Sequence, residues 1–542
     1  MLRWFFIAVV AISTIILIPI FQPNSEGTLY KGTEGHPWWN DAVFYEIFVR
    51  SFFDSNGDGI GDLQGLIDKL DYLNDGNPET DTDLGIGALW LMPVMPSPSY
   101  HGYDVTDYYD THPEYGSLDD FKQLINAAHE RGIRIIIDLV LNHTSREHPW
   151  FQAALRGEQP YRDYYLWSEE DPGYASPIGG PAWHPSETGY YYAAFWGGMP
   201  DLNLENPKVI EEIESITRFW LKDVGVDGFR LDAIQHFVEE GKNQTNTEGT
   251  HRWLQNFYRM YKKIKPEAFT IGEAWTSTRE IIPYVVDKAV DAAFEFETAG
   301  AMMVAARTEN NGPIRIAHAV DQKSYPSQQF AMFLTNHDQN RLMSELGGDV
   351  GRAKVAASLL LTSPGIPFLY YGEEVGMTGV KPDEDIRLPM QWEATATAGF
   401  TSGTPWRAPN ENIEQANVAV QKNNPDSLFN HYRKLIHLRN HHDAMRIGDW
   451  VKVRSSHRSV YAYIRQSREE TLLVVVNLSG HALSDYDLRL LPNDGTLSGA
   501  NFEDMFEGIP ITPPTLDEDG VFDDYKPVET LAPHQLLVIK IN

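Results

Sequence analysis

The segment IRIIIDLVLNH, residues 133–143, decides the fold. Its first eight residues form an apolar run of strand length, and Asp138, Asn142 and His143 fall at or just past its end. Runs that are apolar on both faces are the signature of a strand in a parallel sheet. Seven others stand in the chain: VFYEIFV (43–49), ALWLMPV (88–94), GFRLDA (228–233), FTIGEAW (269–275), AAFEF (292–296), AMFLTNHD (331–338) and IPFLYYG (366–372). Amphipathic helix-like stretches separate them, which makes a parallel sheet with crossover helices. Eight such units close a (β/α)8 TIM barrel of the α/β class.

Around this frame the 542 residues divide further, since one core does not keep growing to that length. Residues 1–35 form an N-terminal segment and linker, 36–143 the first part of the barrel, and 206–448 the second part. Between them, 144–205 are rich in Trp, Tyr, Gly and Pro with little helical periodicity, too long for a structureless loop and so expected to be an inserted domain B after the third strand. From 449 to 542 short alternating runs such as SVYAYIR, TLLVVVNLS and QLLVIKI predict an antiparallel β-sandwich.

Composition narrows the function. The formal charge of -32 repels polyphosphate, which argues against nucleic acid as a partner, and the absence of cysteine removes disulfide and thiolate chemistry. The first 21 residues, MLRWFFIAVVAISTIILIPIF, place Arg3 ahead of an apolar run to Phe21, long for a signal-peptide core and short for a spanning helix. No small-x-small cleavage site follows. A cleaved signal or an uncleaved anchor is expected, with everything after it extracytoplasmic and the membrane touched only there. Oligomeric state is left open.

In a barrel, polar residues at the C-terminal ends of strands face the active site. Four strands end this way here, with Asp138, Asn142 and His143; Arg230 and Asp232; Glu273; and His337 and Asp338. Three carboxylates, Asp232, Glu273 and Asp338, on separate strands are what cleavage of an acetal without a cofactor requires: one ionised to attack, another protonated to release the leaving oxygen. Arg230, two residues before Asp232, shares its strand face and would keep that carboxylate ionised.

The segments DLVLNH, GFRLDA, IGEAW and TNHD, in this order, resemble the four signature regions of the alpha-amylase superfamily, glycoside hydrolase family 13, and MPDLN (199–203) and PMQW (389–392) resemble two further markers. The resemblance implies a double displacement that retains the anomeric configuration, with Asp232 as nucleophile, Glu273 as acid/base and Asp338 as the third carboxylate gripping sugar hydroxyls. It also implies that Tyr103 and Asp104 of HGYDV, His143, Arg230, His236, His337 and Arg387 line the substrate site. An α-glucan or maltooligosaccharide is the implied partner. Trp183, Tyr191, Tyr192, Phe195 and Trp196 in domain B are either stacking platforms or that domain's core.

The segment DSNGDGIGD, 54–62, offers oxygens at alternate positions with glycine for the sharp turn, which is hard-cation chemistry. Gly65 stands where an EF-hand has its glutamate, so the loop resembles instead the family's first-loop calcium site, with Asp54, Asn56, Asp58, Ile60 and Asp62 as ligands. A second calcium site implied by the resemblance would use Asn142, Asp201 and the carbonyl of His236. Ala233 follows the expected nucleophile where 1,6-acting members commonly have valine, which favours α-1,4 bonds. An amylase-like enzyme is preferred, an exo-acting α-glucosidase, oligosaccharide hydrolase or transglycosylase is the alternative, and a non-catalytic transporter heavy chain is disfavoured by the three carboxylates and the missing cysteine.

Overall fold

A computed structural model describes residues 32–499 and 501–542. Eight parallel strands close into a barrel: β1 (Phe44–Ile47), β2 (Ala88–Leu91), β3 (Arg134–Leu139), β4 (Gly228–Leu231), β5 (Phe269–Gly272), β6 (Ala292–Phe294), β7 (Phe330–Met332) and β8 (Ile366–Tyr370). Each pairs in register with its sequence neighbours and β8 returns to β1, with Phe44 opposite Phe368. Alternate residues fill the two sides of the wall. Phe44, Trp90, Ile136, Ile271, Phe294 and Phe368 pack together inside, whereas Tyr45, Leu89, Ile135 and Ile137 join the layer under the helices. The strands β4, β5 and β7 stop short of Asp232, Glu273 and Asp338, which stand beyond the ladder at the barrel mouth.

Helix starts are fixed locally. Ser117 and Asp120 form a reciprocal capping box on the helix Leu118–Glu130, and Asn206 caps Pro207–Arg218 with proline in the first turn.

The insertion after β3 builds a helix, Pro149–Leu155, and a three-stranded antiparallel sheet of Trp167–Ser168, Gly189–Tyr192 and Trp183–Ser186. An isolated bridge from His143 to Asp201 ties it back to the barrel, and another from Tyr165 to Leu202 joins its two ends. The C-terminal part is a five-stranded antiparallel sheet with a separate two-stranded one beside it. Its alternation splits two cores: Tyr461, Tyr463, Val474 and Val538 pack with the barrel layer, and Val460, Ala462, Ile464 and Val475 pack on the other face.

The apolar run from Met1 to Phe21 lies outside the described residues, and among the described residues no helix is long and apolar enough to cross a membrane. The expectation of an extracytoplasmic protein, secreted or anchored, is therefore corrected: no described element supports it.

Candidate active site

Arg230 organises the site. Its buried guanidinium donates from Nη1 to Asp138 Oδ1 and to Asp232 Oδ1, each at 2.7 Å, and Nη2 pairs with Glu273 Oε2 at 2.7 Å. A buried cation is tolerated because three carboxylates surround it, and those three cannot all be ionised cheaply around one positive charge. Burial raises Asp232 above the ordinary carboxylate range, with Arg230 opposing and Asp338 adding to it. Burial also raises Glu273, again against Arg230, with Asp232 and Asp338 repelling its negative form. Asp138 is pushed up to about 7 by burial against the pull of Arg230.

The chain turns sharply after Asp232. Ala233 has φ 49 and ψ 38, a left-handed conformation that costs a non-glycine residue about 1–2 kcal/mol. Backbone bonds from Ile234 N to Glu273 O and from Glu273 N to Leu231 O hold the two turns together. Strain fixed by its surroundings is common where side chains must be aimed.

Across the mouth, Asp338 Oδ1 accepts from Arg387 Nη2 at 2.9 Å, and His337 Nε2 lies 3.3 Å from Asp338 Oδ2. Burial works against the charge of Asp338, but His337 and Arg387 outweigh it and hold the carboxyl below its usual value. The Tyr103 hydroxyl donates to Asp138 Oδ2 at 2.9 Å, and its ring lies nearly parallel to His337, at 11°. Tyr103, Asp232, Glu273, Asp338 and Arg387 line a pocket of about 560 Å³ that also includes His143, Phe195, Trp196, His236 and Trp275. Burial lowers the pKa of His143 to about 4, so that ring is neutral.

Residues 46–448 match the alpha amylase catalytic domain, and 452–517 match the maltogenic amylase C-terminal domain. The chain belongs to the alpha-amylase family, glycoside hydrolase family 13. Among relatives, Alpha-amylase 3 of Dictyoglomus thermophilum is 43% identical over 450 residues, covering 82% of this chain and 86% of that protein. Oligo-1,6-glucosidase of Parageobacillus thermoglucosidasius is 36% identical over 521 residues, covering 82% and 90%. The crystal structure of alpha-amylase from H. orenii superposes with a TM-score of 0.78 at 40% identity, covering 92% of this chain and 99% of that one.

Within this family site, Tyr103, His143, Asp232, His236, Glu273, Asp338 and Arg387 line one pocket, with Arg230 and His337 beneath it. Asp104 does not join them. Its carboxylate takes the hydroxyls of Ser97 and Ser99 and faces a neighbouring groove on the other side of Trp196. The domain B aromatics divide as well: Tyr191 and Tyr192 are buried, whereas Phe195 and the 58% exposed Trp196 reach the pocket.

Sequence reading missed Trp275, 49% exposed, whose indole N–H donates to Glu273 Oε1 at 2.9 Å while its ring packs on Phe296. It also missed His101 and Asp383, both in the pocket wall. Glu46 was missed too, although a carboxylate inside the apolar run FYEI is itself a signal, since a buried charge must be paired.

The expected calcium ligands are of two kinds. In the first loop, Asp54 and Asp62 are buried with no ion pair among the described residues, and their oxygens take N–H and hydroxyl donors from Asn56, Gly57, Gly59, Ser55 and Gly65. Asn56 and Asp58 each accept the backbone N–H two residues on. An oxygen-only set with two uncompensated carboxylates suits a hard cation. In the second set, Asn142 turns its amide nitrogen to Asp201 Oδ2 at 2.9 Å, a donor where a metal needs an oxygen, and Ala194 N takes the other oxygen. Asn142 and Asp201 are thus paired with each other rather than turned outward to a cation. Among the described residues no three Asp, Glu, His or Cys side chains are grouped for a metal.

Proposed function

We propose that this family member hydrolyses α-1,4-glucosidic bonds of starch-derived chains with retention, by double displacement. The observation that carries the proposal is the shared guanidinium of Arg230, which grips Asp232 and Glu273 at 2.7 Å each. Held by one group, the two carboxylates sit close, which favours the separation of about 5 Å typical of direct attack over the 6.5–9.5 Å that admits a water. In the first step an oxygen of Asp232 bonds to the anomeric carbon, the glucosidic C–O bond breaks, and the proton of Glu273 passes to the leaving oxygen. In the second, Glu273 takes a proton from water, whose oxygen displaces Asp232. Arg230 holds both carboxyls, and repulsion among Asp232, Glu273 and Asp338 favours keeping one proton among them, which we assign to Glu273. Asp338, held by Arg387 and His337, is placed to bind sugar hydroxyls and stabilise the oxocarbenium-like transition state.

We further infer that Asp54, Asn56, Asp58, the carbonyl of Ile60 and Asp62 hold a calcium ion, whose contribution is to neutralise and brace that loop.

The relative named oligo-1,6-glucosidase keeps an exo-acting α-glucosidase as the second reading. Initial rates on maltose through maltopentaose, with early products resolved, separate the two. The amylase-like reading expects rates to rise with length, because remote subsites supply binding energy to the reacting sugar. Maltose as best substrate, with glucose as sole first product, would replace it with the second reading.

A further inference from the structure

Glu46 lies on β1 inside the barrel and is 2% exposed. Among the described residues its carboxylate has one hydrogen-bond partner, His337 Nδ1, at 2.5 Å. The other ring nitrogen, Nε2, lies 2.6 Å from the Tyr103 hydroxyl oxygen and 3.3 Å from Asp338 Oδ2. The Tyr103 hydroxyl also reaches Asp138 Oδ2, at 2.9 Å, and with its proton on that carboxylate its oxygen accepts from His337. Each nitrogen of the ring thus faces an acceptor, and both must donate, which only the imidazolium does. A chain of contacts runs from Glu46 through His337, Tyr103, Asp138 and Arg230 to Asp232.

We propose that Glu46 is a positioning residue for the hydrolysis, holding His337 doubly protonated so that the imidazolium fixes the Tyr103 ring and the Asp338 carboxylate at the sugar site. This rests on the glucan-hydrolase reading above. Glu46 touches no substrate, since it lies behind His337, and acts only through that ring. The titratable and charged groups facing His337 are Glu46 from β1, Tyr103, Asp138 from β3, Asp232 at the end of β4, Glu273 past β5, Asp338 beside it, and Arg387. Burial disfavours charge on the ring, but Asp338 and Glu46 outweigh it and raise the pKa of His337.

Glu46→Gln keeps the shape and an acceptor for Nδ1–H but removes the negative charge, so His337 loses its proton at lower pH. The ratio of variant to wild-type kcat/KM on maltopentaose is expected to lie within about threefold of unity near pH 5 and to fall about tenfold or more by pH 8. Losing the His337 charge also raises Glu273, which would extend the activity of the variant to higher pH and so works against the expected fall in the ratio. A merely structural role would give a deficit independent of pH, and that result would overturn the proposal. Should the variant fail to fold, nitrogen-15 NMR of histidine-labelled wild-type enzyme decides alone: both His337 nitrogens protonated at pH 7.5 supports the proposal, and a neutral ring contradicts it. An inactive wild-type enzyme would instead sink the hydrolase reading, and the NMR outcome would still be readable.

Discussion

Arg230 serves three carboxylates from one buried guanidinium, and the roles proposed for Asp232 and Glu273 depend on that shared charge. Glu273 is raised by burial and by Asp232 and Asp338, so if it is the proposed acid, activity should fall when pH rises through its pKa. Glu273→Gln is expected to lose several orders of magnitude on maltooligosaccharides but far less on α-glucosyl fluoride, which needs little protonation to leave, and its alkaline limb on that substrate should disappear. Equal losses on both substrates, with chemistry rate-limiting, would contradict the assignment. At this scale the sequence spoke clearly wherever a polar residue ended an apolar run, as at Asp232, Glu273 and Asp338. It was silent on Trp275 and misleading on Asp104, because pattern locates a strand end but not the direction in which a loop side chain finally points.

Among elements, the loop 54–62 shows how local chemistry shapes structure. Asn56 and Asp58 curl it through bonds to their own backbone, Gly59 at φ 94 takes a turn that side chains avoid, and Thr401 reaches in to Asp54 from a distant loop. With a cation bound, the two buried carboxylates of that loop are neutralised, and binding to the folded state alone stabilises by mass action. Chelation is therefore expected to lower the unfolding temperature by several degrees while activity well below that temperature persists. A melting temperature unmoved by chelator, with no metal found in the purified protein, would remove the ion from the account. The eight strands and their order were legible from periodicity. The short three-stranded sheet of domain B was not, since strands of two to four residues carry too little pattern.

For the molecule as a whole, the C-terminal sheet is joined to the barrel by buried polar contacts as well as by apolar packing. Arg465 donates to the carbonyls of Gly448 and Thr362, the Tyr463 hydroxyl meets that of Thr362, and His318 meets the Tyr461 hydroxyl at 2.8 Å. Cations at the carboxyl end of the helix Val350–Thr362 also complement its dipole. Removing 449–542 would expose that apolar face and strand those carbonyls, so the intact chain should unfold in a single calorimetric transition and a chain ending at 448 should be insoluble or inactive. Two separable transitions, with activity in the shorter chain, would show the sheet to be an independent appendage.

The central claim is covalent catalysis by Asp232, and the measurement that meets it most directly is mass spectrometry of the enzyme after brief incubation with 5-fluoro-α-glucosyl fluoride, which forms the glycosyl-enzyme faster than it is hydrolysed. One fluoroglucosyl group on the peptide containing GFRLDA, fragmenting to Asp232, is the predicted result. Steady turnover with no adduct, or an adduct on Glu273 or Asp338, would contradict the account.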